Sequence, residues 1–284
     1  MMPPYVPLTN DYVFKKTIGE NKNAFLGFVN AIFAAKNEPL VKDFTFLNTE
    51  HPKDNPTGKG IRLDVLALLE NGTKVNIEVQ MKPHGAFAKR SLYYWARLHS
   101  KQLEEGELYQ EIKKTICINI LGFNFLSQYA EKYHFTFLLK EQELNEILCQ
   151  DIELHFLSIP KLPKIDYNEM DLLQKWLLLM SGPEEEVMEE LAMREPTFRE
   201  VIDSLKELAK NNPDEINAYE ARRKFYLDYR SDMYDSREEG RNEGREEGRT
   251  EERFKTAKAM KIEKMPLELI AKFTELPLEV IEKI

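Results

Sequence analysis

Asp64, Glu78 and Gln80 are the residues best suited to chemistry, and all three fall within residues 61–82. Asp64 is enclosed by Leu63, Val65, Leu66, Leu68 and Leu69, and Glu78 by Val75, Ile77, Val79 and Met81. Acids embedded in apolar strands are rarely buried unless they are paired or bind a metal. Asn71-Gly72 lies between the two apolar runs, a strong short signal for a hairpin turn. Side chains alternate faces along a strand, so Glu78 and Gln80 share one face while Ile77 and Val79 point the other way. Pairing across the turn brings Asp64 near Glu78. Two carboxylates and an amide oxygen on one side of a hairpin form a hard-oxygen set suited to Mg²⁺ or Mn²⁺. Such a cation neutralises developing charge and lowers the pKa of an attacking water, as phosphodiester hydrolysis requires. In this scheme Asp64 and Glu78 hold the metal, and the Val79 carbonyl or a nearby oxygen completes the shell with waters. Gln80 hydrogen-bonds the attacking water without acting as a strong base. The plainer reading is a single acid on a solvated hairpin face, and the apolar flanks weigh against it.

The elements that position these residues follow from periodicity. Residues 10–35 read as a helix with a break around Gly19–Asn23, capped by Asn10 or Thr9 and carrying an apolar stripe of Val13, Phe14, Ile18, Phe25, Phe28, Val29 and Ile32. Asp11 sits in its first turn, where an acid favours the helix dipole. Lys15, one turn on, is a phosphate contact or part of a solvated face. Residues 43–48 read as a short strand and residues 50–60 as a polar loop able to contact substrate. Residues 86–105 read as a long helix on which Arg90, Tyr94 and Arg97 recur at helical spacing, with Gly106 as its C-cap. The plainer reading there is an exposed face with aromatic packing; the functional alternative is phosphate contact beside the hairpin, which arginine's bidentate geometry suits. Strands are expected at 114–121, 133–140 and 152–157. Helix, strand, hairpin, helix, strand suits a mixed sheet flanked by helices.

The remainder is helical. Leu172, Leu173, Trp176, Leu177 and Leu179, then Val187, Leu191, Phe198, Val201 and Leu205, form core stripes within residues 167–235. Residues 236–253 are low in complexity, with Gly240, Gly244 and Gly248 each followed by arginine. They read as a marginal solvated helix or linker, or as a self-association helix. Met265-Pro-Leu-Glu-Leu-Ile-Ala is echoed by Leu276-Pro-Leu-Glu-Val-Ile-Glu. Pro266 and Pro277 suit the first turns of two short helices, giving a helix-turn-helix-like unit for DNA binding, packing or dimerisation.

The pattern Arg62-Leu63-Asp64-Val65, then Ile77-Glu78-Val79-Gln80, resembles the PD-(D/E)XK nuclease superfamily. More closely it resembles the Rpn family of recombination-promoting nucleases, also labelled putative transposases. Asn10-Asp11-Tyr12-Val13-Phe14-Lys15-Lys16, Lys89-Arg90-Ser91-Leu92-Tyr93-Tyr94-Trp95, Gly106-Glu107-Leu108-Tyr109 and the strand from Thr115 to Leu121 extend the likeness over residues 8–235, and the Glu-Gly repeats are also typical of that family. The resemblance implies an α/β, restriction-endonuclease-like fold: a mixed central sheet flanked by helices and followed by an all-helical C-terminal region. It implies a Mg²⁺-dependent DNA endonuclease acting in recombination or mobile-element contexts. Asp64 and Glu78 are then metal ligands, Asp11 is an added acid near the hairpin, and Gln80 occupies the place of the superfamily's lysine. Gln lacks the charge that would stabilise a transition state; Lys82, two residues on along the same strand face, reads as a strand-end surface lysine, with supply of that charge as the alternative. Lys15, Arg90 and Lys82 are the expected DNA contacts. The alternative is a catalytically weakened nuclease-fold protein acting as a DNA-binding or oligomerising module.

Composition sets the outer bounds. The 284 residues are 42% hydrophobic, enough for a sizeable core. Residues 1–160 carry a net charge of −1 and residues 161–284 carry −8, so the catalytic region is near neutral. A local basic surface from Lys15, Lys16, Lys89, Arg90 and Arg97 is compatible with this. Cys117 and Cys149 lie in apolar contexts and read as buried thiols of a reducing compartment. The five histidines show no zinc-ligand spacing. No charged-then-apolar leader opens the chain, and the apolar run 172–180 is too short to span a bilayer. A cytoplasmic homo-oligomer, a dimer, with DNA as partner and no membrane is the expectation. The expected divisions are 1–160 (nuclease core), 161–235 (accessory helices), 236–254 (charged repeat) and 255–284 (C-terminal module).

Overall fold

The computed structural model describes residues 7–51, 61–211, 214, 245 and 248–284; of Asp11 and His51 it describes the backbone only. The chain divides into two compact units, residues 1–216 and 217–284.

In the first unit, α1 (Asp11–Thr17) and α2 (Lys22–Ala34) precede the sheet. Asn10 caps α1 by accepting from the N–H groups of Tyr12 (3.0 Å) and Val13 (3.2 Å), and Asn21 caps α2 by accepting from Ala24 N–H at 3.0 Å. The expected break between the two helices is present. Among the described residues the strands that follow are β1 (Phe44–Phe46), β2 (Glu50–His51), β3 (Ile61–Arg62), β4 (Val65–Leu69), β5 (Lys74–Gln80), β6 (Thr115–Leu121), β7 (His134–Phe137) and β8 (Ile152–Ser158). Six form one sheet in the order β1-β4-β5-β6-β8-β7, and β2 pairs with β3. β5, β6 and β8 run parallel, while β1, β4 and β7 are antiparallel to their neighbours. This is the mixed sheet expected of the α/β class.

All seven residues of β6 are buried, as are Val75 to Val79 of β5. Burial on both faces makes β6 a largely apolar run, broken at Asn119, whereas β5 carries Asn76 and Glu78 on one of its buried faces. α3 (Phe87–Ser100) covers one face: Phe87 clusters with Cys117, Leu121 and Phe156, and Trp95 Nε1 donates to the Thr115 carbonyl at 2.9 Å. α4 (Leu172–Met180), α5 (Glu185–Arg194) and α6 (Pro196–Asn211) complete the unit. Trp176 packs edge-on against Phe28 of α2 and Phe198 of α6, so the tryptophan at the centre of the apolar run is a core residue.

The face of β8 opposite Phe156 carries a buried polar chain. Glu153, 2% exposed, accepts from Lys36, from Lys114 Nζ at 2.5 Å and from His155 Nε2 at 2.6 Å, and His155 Nδ1 meets His134 Nε2 at 2.8 Å. Burial alone would raise the Glu153 pKa, but the bonds from His155, Lys114 and Lys36 prevail and lower it. Burial and the neighbouring His155 push His134 down to about 4.

In the second unit, residues 248–262 are helical (α7) and are followed by α8 (Leu267–Thr274) and α9 (Leu278–Lys283). Ala257, Ile270 and Ile281 form its core. Pro266 and Pro277 occupy the caps of α8 and α9, one position earlier than first-turn placement.

Several boundaries differ from expectation. α3 ends at Ser100 with Lys101 as its cap, and Gly106 (φ +95°) serves a later turn. β7 stops at Phe137. Cys149 is exposed rather than buried, within a surface segment where Leu139, Leu144 and Leu148 are also exposed. Most of the Glu-Gly-Arg repeat and residues 52–60 lie outside the described residues. Among the described residues no helix is long and apolar enough to cross a membrane.

Candidate active site

Hairpin register brings the two acids together. Glu70, Asn71 and Gly72 form a three-residue loop: Gly72 N–H donates to the Leu69 carbonyl and Leu69 N–H to the Thr73 carbonyl, both at 2.9 Å. Gly72 adopts φ +84°, the left-handed residue such a loop requires. Leu68 then faces Lys74, and Val65 faces Ile77. Continuing this register sets Asp64 across from Glu78. A two-residue loop would have shifted the pairing by one, placing Asp64 across from Val79 and on the other face.

Asp64 lies one residue before β4 rather than within it, at a bend. Backbone pairing stops there and carboxylates take over. Asp64 Oδ2 accepts from Val79 N–H at 2.9 Å, and Glu78 Oε1 accepts from Asp64 N–H at 3.4 Å. Asn76, on the same face two residues before Glu78, donates to Glu78 Oε1 at 3.2 Å. Glu78 is 9% exposed. Burial, then the Asp64 charge, push its pKa up to about 8, while Asn76, the Asp64 N–H and the Arg90 charge pull it down. Tyr94 on α3 is also raised, first by burial and then by Glu78. It packs on the cluster of Ile61, Leu63, Leu66 and Leu98 that brackets Asp64.

Gln80 shares the Glu78 face, as its spacing predicts. Both ends of its amide are engaged: Oε1 accepts from the Arg90 guanidinium, and Nε2 donates to the Lys82 carbonyl at 2.9 Å. The Arg90 Cζ also lies 5.8 Å from the Phe87 ring centroid. Lys82 lies past the end of β5 with an exposed side chain, the strand-end surface lysine of the plainer reading.

A cleft of about 420 Å³ opens beside Asp64, lined by Lys15, Gly19 and Glu20 on one side and Phe46, Asn48 and Thr49 on the other. Lys15 therefore shares a cleft with Asp64. Gly19 allows the approach: a Cβ there would lie 2.7 Å from Val65 Cγ2 and 2.8 Å from the Lys15 carbonyl oxygen. Asp11 opens α1, but its side chain lies outside the described part of the molecule. Glu20, in the cleft and paired with Lys16 at 2.8 Å, and Asn76 are additions to the sequence reading. Period-2 spacing from Glu78 pointed to Asn76, whereas nothing local pointed to Glu20.

Among the described residues no group of three or more His, Cys, Asp and Glu side chains is placed to hold a metal. The donor set at the hairpin is two carboxylates, and it suits a divalent cation. Glu78 is held protonated by burial beside a second acid, and a cation relieves both effects.

The family model for PD-(D/E)XK nuclease family transposases matches residues 8–236. The chain belongs to that family, which places it among nuclease- and transposase-related proteins. No curated protein and no solved structure matches it.

Proposed function

We propose that this PD-(D/E)XK family member is a metal-dependent DNA endonuclease of the Rpn type, promoting recombination or serving mobile elements. The observation that supports this best is the Asp64–Glu78 pair across the hairpin, joined by reciprocal carboxylate-to-backbone bonds. Asp64 and Glu78 would hold Mg²⁺ or Mn²⁺, which supplies Lewis acidity and neutralises charge when bound. In the reaction a water oxygen forms a bond to phosphorus, and one P–O bond to a deoxyribose oxygen breaks with its electron pair leaving on that oxygen. The water gives up a proton and the departing oxygen gains one. The protein's own residues position this exchange. Val79 N–H fixes one Asp64 oxygen, and Asn76 fixes Glu78. Lys15, which lines the Asp64 cleft, and Arg90, which bonds Gln80, are proposed as contacts to DNA phosphates. Asp11, at the start of α1, is proposed as an assisting acid and Lys82 as a peripheral DNA contact.

A second reading is a weakened, DNA-binding or oligomerising protein, favoured by the neutral Gln80 in β5. Nicking of supercoiled plasmid by wild type and Asp64→Ala, with Mg²⁺ or EDTA, separates the two. Mg²⁺-dependent nicking lost in Asp64→Ala is the expected result. DNA binding without nicking by either protein would establish the second reading.

A further inference from the structure

We propose that Arg90 is a catalytic residue, the fixed positive charge of this site, and that Gln80 is the positioning residue that seats it. This rests on the nuclease reading above. Phosphodiester cleavage builds negative charge on the phosphate oxygens and the departing oxygen, and a pre-positioned cation stabilises it without reorganising. On β5 the face that carries Glu78 holds a cation only at its far end, at Lys74 four residues before the acid, whereas Asn76 and Gln80 on either side of Glu78 are neutral. The geometry points to α3 for the missing charge.

Gln80 was expected to orient the attacking water, but both ends of its amide have partners. Its carbonyl takes the Arg90 guanidinium, and its NH₂ is tied to the Lys82 backbone 2.9 Å away. The Lys82 bond fixes the direction of the amide, so the oxygen faces the helix. Arg90 is held from a second side by the Phe87 ring at 5.8 Å. α3 itself is fixed to the sheet through Phe87 and through Trp95, which donates to the Thr115 carbonyl at 2.9 Å. Arg90 is only partly buried, so a phosphate can reach it. Its planar fork of five donors leaves N–H groups available after one bond to Gln80.

The test compares wild type with R90Q, R90K, Q80M and the double variant Q80K/R90Q. Plasmid nicking gives kcat and KM, and fluorescence anisotropy in EDTA at several salt concentrations gives metal-free DNA affinity. R90Q is expected to lower kcat roughly 100- to 1,000-fold, far more than the fall in metal-free affinity from one lost phosphate contact. R90K should retain part of kcat. Q80M should lower kcat with Arg90 still present, because its seat is gone. Q80K/R90Q returns a charge to the site from the strand and should recover at least about tenfold in kcat over R90Q. Far-UV circular dichroism and Tm show that each variant is folded. Two results would overturn the proposal: a rise in KM matched by weaker metal-free binding that fades at low salt, with kcat intact, or a double variant no faster than R90Q. An inactive wild type, or nicking that survives Asp64→Ala, would overturn the nuclease reading itself and this inference with it.

Discussion

Glu78 is pulled two ways, and its titration makes the conflict measurable. Buried beside Asp64, it holds its proton up to about pH 8, against an ordinary value of 4.5. The folded protein therefore binds a proton that the unfolded chain has released across that window. Stability from this group is intact below about pH 4.5 and is lost as pH rises through 8. Each pH unit of the interval costs about 1.4 kcal/mol. Melts in EDTA should show wild type losing stability from pH 5 to pH 8.5 relative to Glu78→Gln, which should be the more stable protein above pH 8. Mg²⁺ should narrow that gap, because it favours the carboxylate, and should release a proton on binding near pH 7, readable by calorimetry in buffers of different ionisation enthalpy. At Asp64, asparagine keeps an oxygen for Val79 N–H, whereas alanine leaves that donor bare at a cost of about 1–3 kcal/mol. Asp64→Asn should therefore melt close to wild type yet lose nicking roughly 100-fold or more; an active Asp64→Asn would move the metal site elsewhere.

At the scale of elements, two glycines govern how the acids meet. Gly72 closes the three-residue loop with φ +84°, and an L side chain there costs about 1–2 kcal/mol. Its Cβ would crowd only the flexible Lys113 side chain, so Gly72→Ala should lower Tm yet preserve the register and the nicking rate. Gly19 differs, because a Cβ there would press on the Lys15 backbone and on Val65 beside Asp64. Gly19→Ala should cost about 1–3 kcal/mol and should also weaken DNA binding or nicking, because α1 must withdraw from the cleft. Equal activity of the two variants would show that the α1 approach is irrelevant to the site. α3 plays the complementary part on the other side of Glu78, carrying Arg90 and Tyr94 one turn apart over the acid-bearing face.

The whole molecule comprises a sheet-based unit that holds every described candidate site residue and a helical unit with its own core. Ile270 is fully buried in that second core, and burying a charge there is prohibitive. Ile270→Asp should unfold residues 248–284, seen as new protease cuts in that region, while kcat for nicking stays unchanged. A fall in DNA affinity or a shift to a smaller species in the same variant would assign the C-terminal module to DNA binding or self-association.

Much of this was legible in the chain because it is local. Alternation placed Glu78 and Gln80 on one face, Asn10 announced its helix, and the largely apolar run from Thr115 to Leu121 announced a buried strand. The family motifs lay in the same segments. Other features depend on atoms distant in sequence. The hairpin register turned on one extra loop residue, since Glu70 joins Asn71 and Gly72 in the turn, and a period of two makes that single residue decide which face Asp64 occupies. Gln80 found its partner on α3, and Glu20 reached the Asp64 cleft through the packing of α1 at Gly19. Glu153 and His155 look like misplaced polar residues until Lys36, Lys114 and His134 arrive from other elements to bond them. Residue types and spacing thus determined which groups were available for chemistry. Tertiary packing alone decided which of them touch, because burial and hydrogen bonding depend on every neighbour at once, whatever its distance along the chain.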